Sequence, residues 1–240
     1  WYLTQTPDGY LSWLQQGTFV RCTREQADAW SHAPLLIVTA MEDCVREVPQ
    51  SGAQPVSDVV LCDLVRQTGE AGEWYQVELP DQRAGYLPKH AAEDFAAWKR
   101  ARRPTAENLE RTARTFLGRP YLWGGNSPKG LDCSGLTKTV FYLNGIDLLR
   151  DSSKQAGQGA AVPLDPELSQ LQKGDLLFFG HAARNGHPER VVHVGIYLGD
   201  KLFIHSSERV HLSSLDPQSP LRDEHRIRTL LRARRLLPAP

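Results

Sequence analysis

One pattern occurs twice in this chain and narrows what the chain can fold into. Trp1-Tyr2, Pro7-Asp8 and Gly9-Tyr10-Leu11 return as Trp74-Tyr75, Pro80-Asp81 and Gly85-Tyr86-Leu87. Each copy reads as a strand, a Pro-Asp turn and a second strand, because aromatic and aliphatic runs bounded by Pro, Asp and Gly favour short hairpins. The second copy carries a longer loop before its Gly-Tyr pair. Further β-rich runs precede or overlap it, Leu35 to Ala40, Val56 to Leu64 and Trp74 to Leu79. Ser51-Gly52 and Gly69 to Gly72 separate them. Several short strands within about 60 residues suggest a small barrel. A repeated β unit of this size implies two like modules in tandem.

The first copy has nothing before its Trp, so the sequence is read as starting inside the first module. The absence of an initial Met fits a mature or trimmed form. Residues 24–33 are helix-compatible and link the two modules. A second boundary falls at Arg100-Ala-Arg-Arg-Pro104, a basic run ending in Pro that suits an exposed linker. The expected organisation is therefore residues 1–34 as the end of one β module with its linker, 35–103 as a second module, and 104–240 as a separate domain.

That last segment changes period. Pro104 disfavours helix at Arg103, and Thr105 is a good N-cap. Leu109, Ala113, Phe116 and Leu117 mark the apolar face of a helix that ends at Gly118. A second helix is predicted over Asp132 to Asn144, with Leu136, Val140 and Leu143 on one face and Gly145 as its stop. Asp175 to Phe179, Val191 to Leu198, Lys201 to Ser206 and Arg209 to Ser213 read as strands. Helices followed by an antiparallel sheet make an α+β domain.

Composition excludes several classes of function. Lys and Arg number 28 and Asp and Glu 28 among 240 residues, so the formal net charge is zero. That argues against a nucleic-acid partner, which requires clustered cations for the phosphates. The longest apolar run, Pro34 to Met41, is too short to span a membrane. Cys22, Cys44, Cys62 and Cys133 are too few and irregular for a disulfide framework or a zinc ribbon. The first three read as small buried hydrophobes, with one disulfide among them as the alternative.

Cys133 lies in Asp132-Cys133-Ser134-Gly135, at the start of the second helix. A helix N-terminus favours a thiolate through its dipole and free amides, and Asp132 is a natural N-cap. A carboxylate beside a thiol opposes its ionisation, unless Asp132 points away or meets a cation on the substrate. Two histidines complete a reactive set. In Val191 to Leu198, alternation puts His193, Gly195 and Tyr197 on one face. In Lys201 to Ser206, His205 shares a face with Phe203. Only an odd loop between these strands brings His193 and His205 to the same side, roughly 5–8 Å apart, and a two-residue loop would split them. Cys133 would then attack a carbonyl, His193 would carry the proton to the leaving amine, and His205 would orient His193. A zinc site at the same three residues lacks local ligand spacing. This chemistry calls for neither metal nor cofactor.

Five ordered segments carry a family resemblance: Pro120 to Gly125, Gly130 to Gly135, Gly174 to Phe179, His193 to Tyr197 and Phe203 to Ser206. They resemble the NlpC-type bacterial cell-wall cysteine peptidases, which have a papain-like core. The β modules resemble bacterial SH3-like barrels. Leu149-Arg-Asp-Ser-Ser153 and Val210 to Asp216 resemble one subgroup, the γ-D-glutamyl-L-diamino-acid endopeptidases. The resemblance implies Cys133 as nucleophile, His193 as base and His205 as its orienting partner. It also implies hydrolysis of the γ-D-Glu–diamino acid amide (diaminopimelate or Lys) in murein stem peptides with a free L-Ala amine. On that chemistry Asp132 would hold the amine and Arg150 the D-Glu carboxylate. Ser134 and Ser152 would add hydrogen bonds, Tyr121 would line the pocket, and Tyr10 of the first module would help close it. The implied location is the cell envelope or outside a bacterium, with cytoplasmic peptide recycling as the alternative. A wall-binding protein with an idle core, or a related amidase or acyltransferase, fits the same residues.

Overall fold

In the computed structural model the described residues are 1–6, 9–184 and 186–237. The Pro7-Asp8 turn expected above lies outside them. The chain divides into two compact units, Trp1–Ala101 and Arg102–Pro240.

The first unit is mainly β. Strands β1 (Tyr2–Gln5) and β2 (Leu11–Leu14) form a two-stranded antiparallel sheet. Helix α1 (Arg24–Ser31) follows, where Thr23 and Gln26 close a capping box at its start. Then come β3 (Leu35–Val38), β4 (Glu42–Arg46), β5 (Pro55–Val60), β6 (Leu64–Ala71), β7 (Trp74–Glu78), β8 (Ala84–Pro88), β9 (Ala92–Asp94) and helix α2 (Phe95–Ala101). Strands β3 to β9 make one sheet in the order β5-β4-β8-β7-β6-β3-β9. Leu36, Val38, Val45, Val59, Val65, Val77 and Leu87 are buried together inside it. The repeated Trp-Tyr and Gly-Tyr-Leu segments are β7 and β8, paired so that Tyr75 faces Leu87 and Gln76 faces Tyr86.

The second unit opens with α3 (Ala106–Arg114), capped by the Thr105 hydroxyl on the Asn108 amide. This helix is shorter than its pattern predicts. It stops at Thr115 and turns to Gly118, and Leu117 is 42% exposed rather than on the apolar face. Two short strands, β10 (Asn126–Ser127) and β11 (Gly130–Leu131), lead into α4 (Cys133–Leu143). Helix α5 (Ser152–Gln155) and β12 (Ala160–Val162) follow, then β13 (Leu176–His181), β14 (Arg190–Gly199), β15 (Leu202–Ser206), β16 (Val210–Ser214), α6 (Glu224–Thr229) and β17 (Leu230–Arg235). The sheet is antiparallel, ordered β12-β17-β13-β14-β15-β16. Together the two units give a mixed fold with antiparallel sheets.

The β14–β15 hairpin differs from expectation in an instructive way. Its tip is a two-residue turn, Asp200-Lys201, with φ of 48° and 61°, the paired positive values of a type I′ turn. Such a turn alone would put the two histidines on opposite faces. A bulge between Tyr197 and Gly199 adds one residue, so Tyr197 pairs with Phe203 and Ile196 with Ile204. The extra residue reverses the side-chain parity once. His193 and His205 therefore share a face.

Candidate active site

Asp132 takes extended backbone (φ −85°, ψ 179°) and caps α4, its Oδ1 accepting the Gly135 N–H at 2.7 Å. Cys133 is thereby the first helical residue, and Ser134 the second. Gly135 lets the helix start close to the preceding loop, since a Cβ there would collide with the Gly125 carbonyl. That steric demand accounts for the last letter of Asp-Cys-Ser-Gly.

Cys133, His193 and His205 are all buried. The sulfur meets β14 at Val194, whose N–H donates toward it, one residue beyond His193. Nε2 of His193 lies 2.8 Å from Nδ1 of His205, and Nε2 of His205 lies 3.0 Å from Oγ of Ser213 on β16. The two imidazoles meet edge to face, with ring centroids 5.0 Å apart. Gly195 makes room for this contact. It sits on the same face between the two histidines, and a Cβ there would press on Phe203 and on the Cβ of His205. The row of hydrogen bonds takes up Nε2 of His193 and leaves Nδ1 as its other ring nitrogen.

Electrostatics favour neutral groups at rest. Burial pushes the Cys133 thiol above its ordinary value; the Val194 amide opposes this and the Asp132 charge adds to it. Burial also holds His193 well below the usual histidine range, reinforced by the positive charge of Arg226 and by His205. Burial, with His211 and Arg226, pushes His205 down to about 2. The helix N-terminus alone predicts a standing thiolate; here desolvation outweighs the dipole. Burial thus favours the neutral thiol and the neutral imidazole over the separate ions.

Asp132 and Arg150 hold each other. Arg150 donates from Nη1 to Asp132 Oδ1 at 3.0 Å, from Nη2 to Oδ2 at 2.6 Å, and from Nη1 to Ser134 Oγ at 2.9 Å. The Gly124 amide also donates to Oδ2, at 2.9 Å. Burial would raise the Asp132 carboxyl, but Arg150 and the Gly135 amide outweigh it and keep it below the usual carboxylate range. The expectation of separate substrate contacts for these two charges thus meets a structure in which they are already paired with one another.

Tyr121 is partly exposed near Cys133 and Asp132; burial and both of those charges raise its hydroxyl pKa. Ser152 opens α5 and is half-buried. Tyr10 belongs to the first unit, directly before β2. Four residues escaped the sequence patterns. Ser213 extends the histidine row. Gln155, fully buried, bonds to Thr137 and to the carbonyls of Ser134 and Leu149, tying α5 to α4. Asp151 precedes α5 without using its carboxylate as a cap. Arg226 lies over the Phe179 ring. Only Asp151 carried a signal, its place between Arg150 and Ser152. Among the described residues, no cluster of three or more His, Cys, Asp or Glu side chains is disposed to hold a metal ion. No helix among them is long and apolar enough to cross a membrane.

Residues 118–232 match the NlpC/P60 family. A γ-D-glutamyl-L-lysine dipeptidyl-peptidase of Bacillus cereus is 40% identical over 132 residues, which is 55% of this chain and 38% of that protein. A dipeptidyl-peptidase 6 of Lysinibacillus sphaericus is 35% identical over 176 residues, 69% of this chain and 58% of that protein. The chain therefore spans less than two thirds of the length of either curated relative. The crystal structure of an NlpC/P60 family protein from Bacillus cereus superposes with a TM-score of 0.77 at 33% identity, covering 98% of this chain and 75% of that one. A solved relative matched along nearly all of this chain, and a family match across the segment that holds Cys133, His193 and His205, lead to one conclusion: the chain belongs to the NlpC/P60 family.

Proposed function

We propose that this protein is a cysteine endopeptidase that cleaves the γ-D-Glu–diamino acid amide of murein peptides bearing a free N-terminal L-Ala. The observation that carries this reading is the buried row Ser213–His205–His193, which ends on the strand whose next residue, Val194, turns its amide toward the helix-start Cys133. Two relatives named for γ-D-glutamyl-L-lysine cleavage, at 40% and 44% identity, support the substrate class. In this reading the first unit is the end of one SH3-like module with its linker and a second such module, and the second unit is a papain-like core.

In the proposed reaction Nδ1 of His193 takes the proton from Cys133 as the sulfur attacks the amide carbon. The resulting imidazolium hands that proton to the leaving amine, and the C–N bond breaks to give a thioester. Water, deprotonated by His193, then releases the acyl dipeptide and restores the thiol. His205 accepts from Nε2–H of His193 throughout, fixing the tautomer in which Nδ1 is basic. Asp132 and Arg150, already paired, hold the start of α4 rigid. Asp151, which makes no cap bond to α5 and lies near Arg150, is assigned to the free amine, and Ser152 to the D-Glu carboxylate.

The test is mass spectrometry of products from a panel of stem peptides with free and acetylated L-Ala. The expected outcome is cleavage between D-Glu and the diamino acid, faster on the free amine and abolished in Cys133→Ala. Turnover by a folded Cys133→Ala variant, or equal rates on both peptides, removes the mechanism or the selectivity respectively.

A further inference from the structure

Two guanidinium groups act on the reactive cysteine, and they differ in one respect. Arg150 is satisfied by Asp132 and Ser134. Arg226 is not. It projects from α6, half-buried, 5.6 Å from the centroid of the Phe179 ring. Its Nε is buried without a hydrogen-bond partner, and among the described residues no carboxylate or carbonyl accepts from its guanidinium. Asp223, whose charge acts on it, caps α6 through the Arg226 backbone amide instead. An unpaired, half-buried guanidinium is costly, and it binds carboxylates as a planar fork.

Its position gives that fork a direction. Phe179 packs 5.8 Å, centroid to centroid, from the ring of His193, so Arg226 lies on the His193 side of the site. Its charge is felt by both His193 and Cys133. Arg150 instead sits on Asp132 and Ser134, at the N-terminus of α4. In an acyl transfer the imidazole must reach the leaving nitrogen, so the leaving fragment lies on the imidazole's side. In an α-amino acid leaving group the carboxylate sits on the carbon bonded to that nitrogen.

We propose that Arg226 is a specificity-determining residue that binds the free α-carboxylate of the leaving amino acid, so that the enzyme prefers peptides ending at the diamino acid. This rests on the reading under Proposed function and sharpens it. It selects the short, carboxy-terminated tripeptide over the same peptide extended or blocked at its C-terminus.

The experiment compares kcat/KM for L-Ala-γ-D-Glu-diaminopimelate and for the same peptide with that α-carboxylate converted to the carboxamide. A charge-assisted hydrogen bond predicts a wild-type preference for the acid of about tenfold to a hundredfold. In Arg226→Gln the acid-to-amide ratio is expected to fall to near one. Arg226→Lys, which keeps the charge without the fork, is expected to give an intermediate ratio and serves if the Gln variant does not fold. Equal wild-type rates on the two peptides, or a ratio retained in either variant, overturn the assignment while leaving the cleavage reaction standing. A folded Arg226→Gln inactive on both assigns the guanidinium to the reacting groups instead and overturns it as well. Cleavage of neither peptide by the wild-type protein sinks the underlying reading and this inference with it.

Discussion

The Ser213 hydroxyl lies 3.0 Å from Nε2 of His205, and what it does there is felt at the far end of His193. If Oγ accepts, Nε2 of His205 carries the proton and Nδ1 its lone pair. His193 must then donate from Nε2, which frees its Nδ1 to take a proton from sulfur. Without a hydroxyl at position 213, the buried N–H of His205 loses its acceptor. Leaving such a donor unpaired costs about 1–3 kcal/mol, so the opposite tautomer, useless as a base, gains population. Ser213→Ala is accordingly expected to lower kcat about tenfold to a hundredfold at nearly constant KM. Ser213→Thr, which restores a hydroxyl, is expected to recover most of the loss. A variant that loses thermal stability but keeps kcat would mark Ser213 as packing alone. Steady-state kinetics on both variants, with the His205 tautomer read by nitrogen chemical shifts, decides it.

At the level of elements the active face depends on one bulge and one glycine. Leu198 is the extra residue that brings His205 round to the side of His193. Gly195 then leaves the space that the ring occupies. Gly195→Ala is expected to destabilise the second unit by about 1–3 kcal/mol, the usual cost of overpacking. It should also lower kcat by displacing His205, and a melting curve with steady-state kinetics checks both. The strands themselves were legible, because alternation in Val191 to Leu198 and Lys201 to Ser206 is a local property. The parity between them was not. It depends on where a bulge forms, and a Leu-Gly-Asp-Lys segment admits a bulged two-residue turn as readily as an open three-residue loop. Leu117 misled for a similar reason: helical spacing continues past Arg114, but the chain turns there to reach Gly118, which bonds to Val210 of β16. Cys133, His193 and His205 could be picked out because each sits in its own short motif. The Asp132–Arg150 pair, Ser213 and Arg226 were not, since each acts across elements distant in sequence.

For the whole molecule, the two units differ in how they bury histidine. The second holds His193 and His205 inside, both with their titration pushed down by burial. In the first unit His32 and His90 are exposed. The sign follows from proton counting. Unfolded histidine takes up a proton as pH falls through about 6.5, whereas the folded rings stay neutral. The unfolded state of the second unit therefore binds more protons on acidification, and its stability is full above that pH and lost below it. A ring that stays neutral costs up to about 1.4 kcal/mol per pH unit in that window. Asp132, held low by Arg150, acts in the same direction only below about pH 4, where the unfolded carboxyl gains its proton. Among the described residues the first unit buries no histidine. Hydrogen exchange of the intact chain between pH 7 and pH 4.5, corrected for intrinsic exchange rates, is expected to show α4 and the β14–β16 strands losing protection first. Strands β3 to β8 should keep theirs. Simultaneous loss across both units would show that the buried imidazoles do not set the acid limit. Replacing His205 by Gln should then be tried for the converse effect: lower stability at neutral pH, with a shallower decline on acidification, because one of the two proton-linked groups is gone.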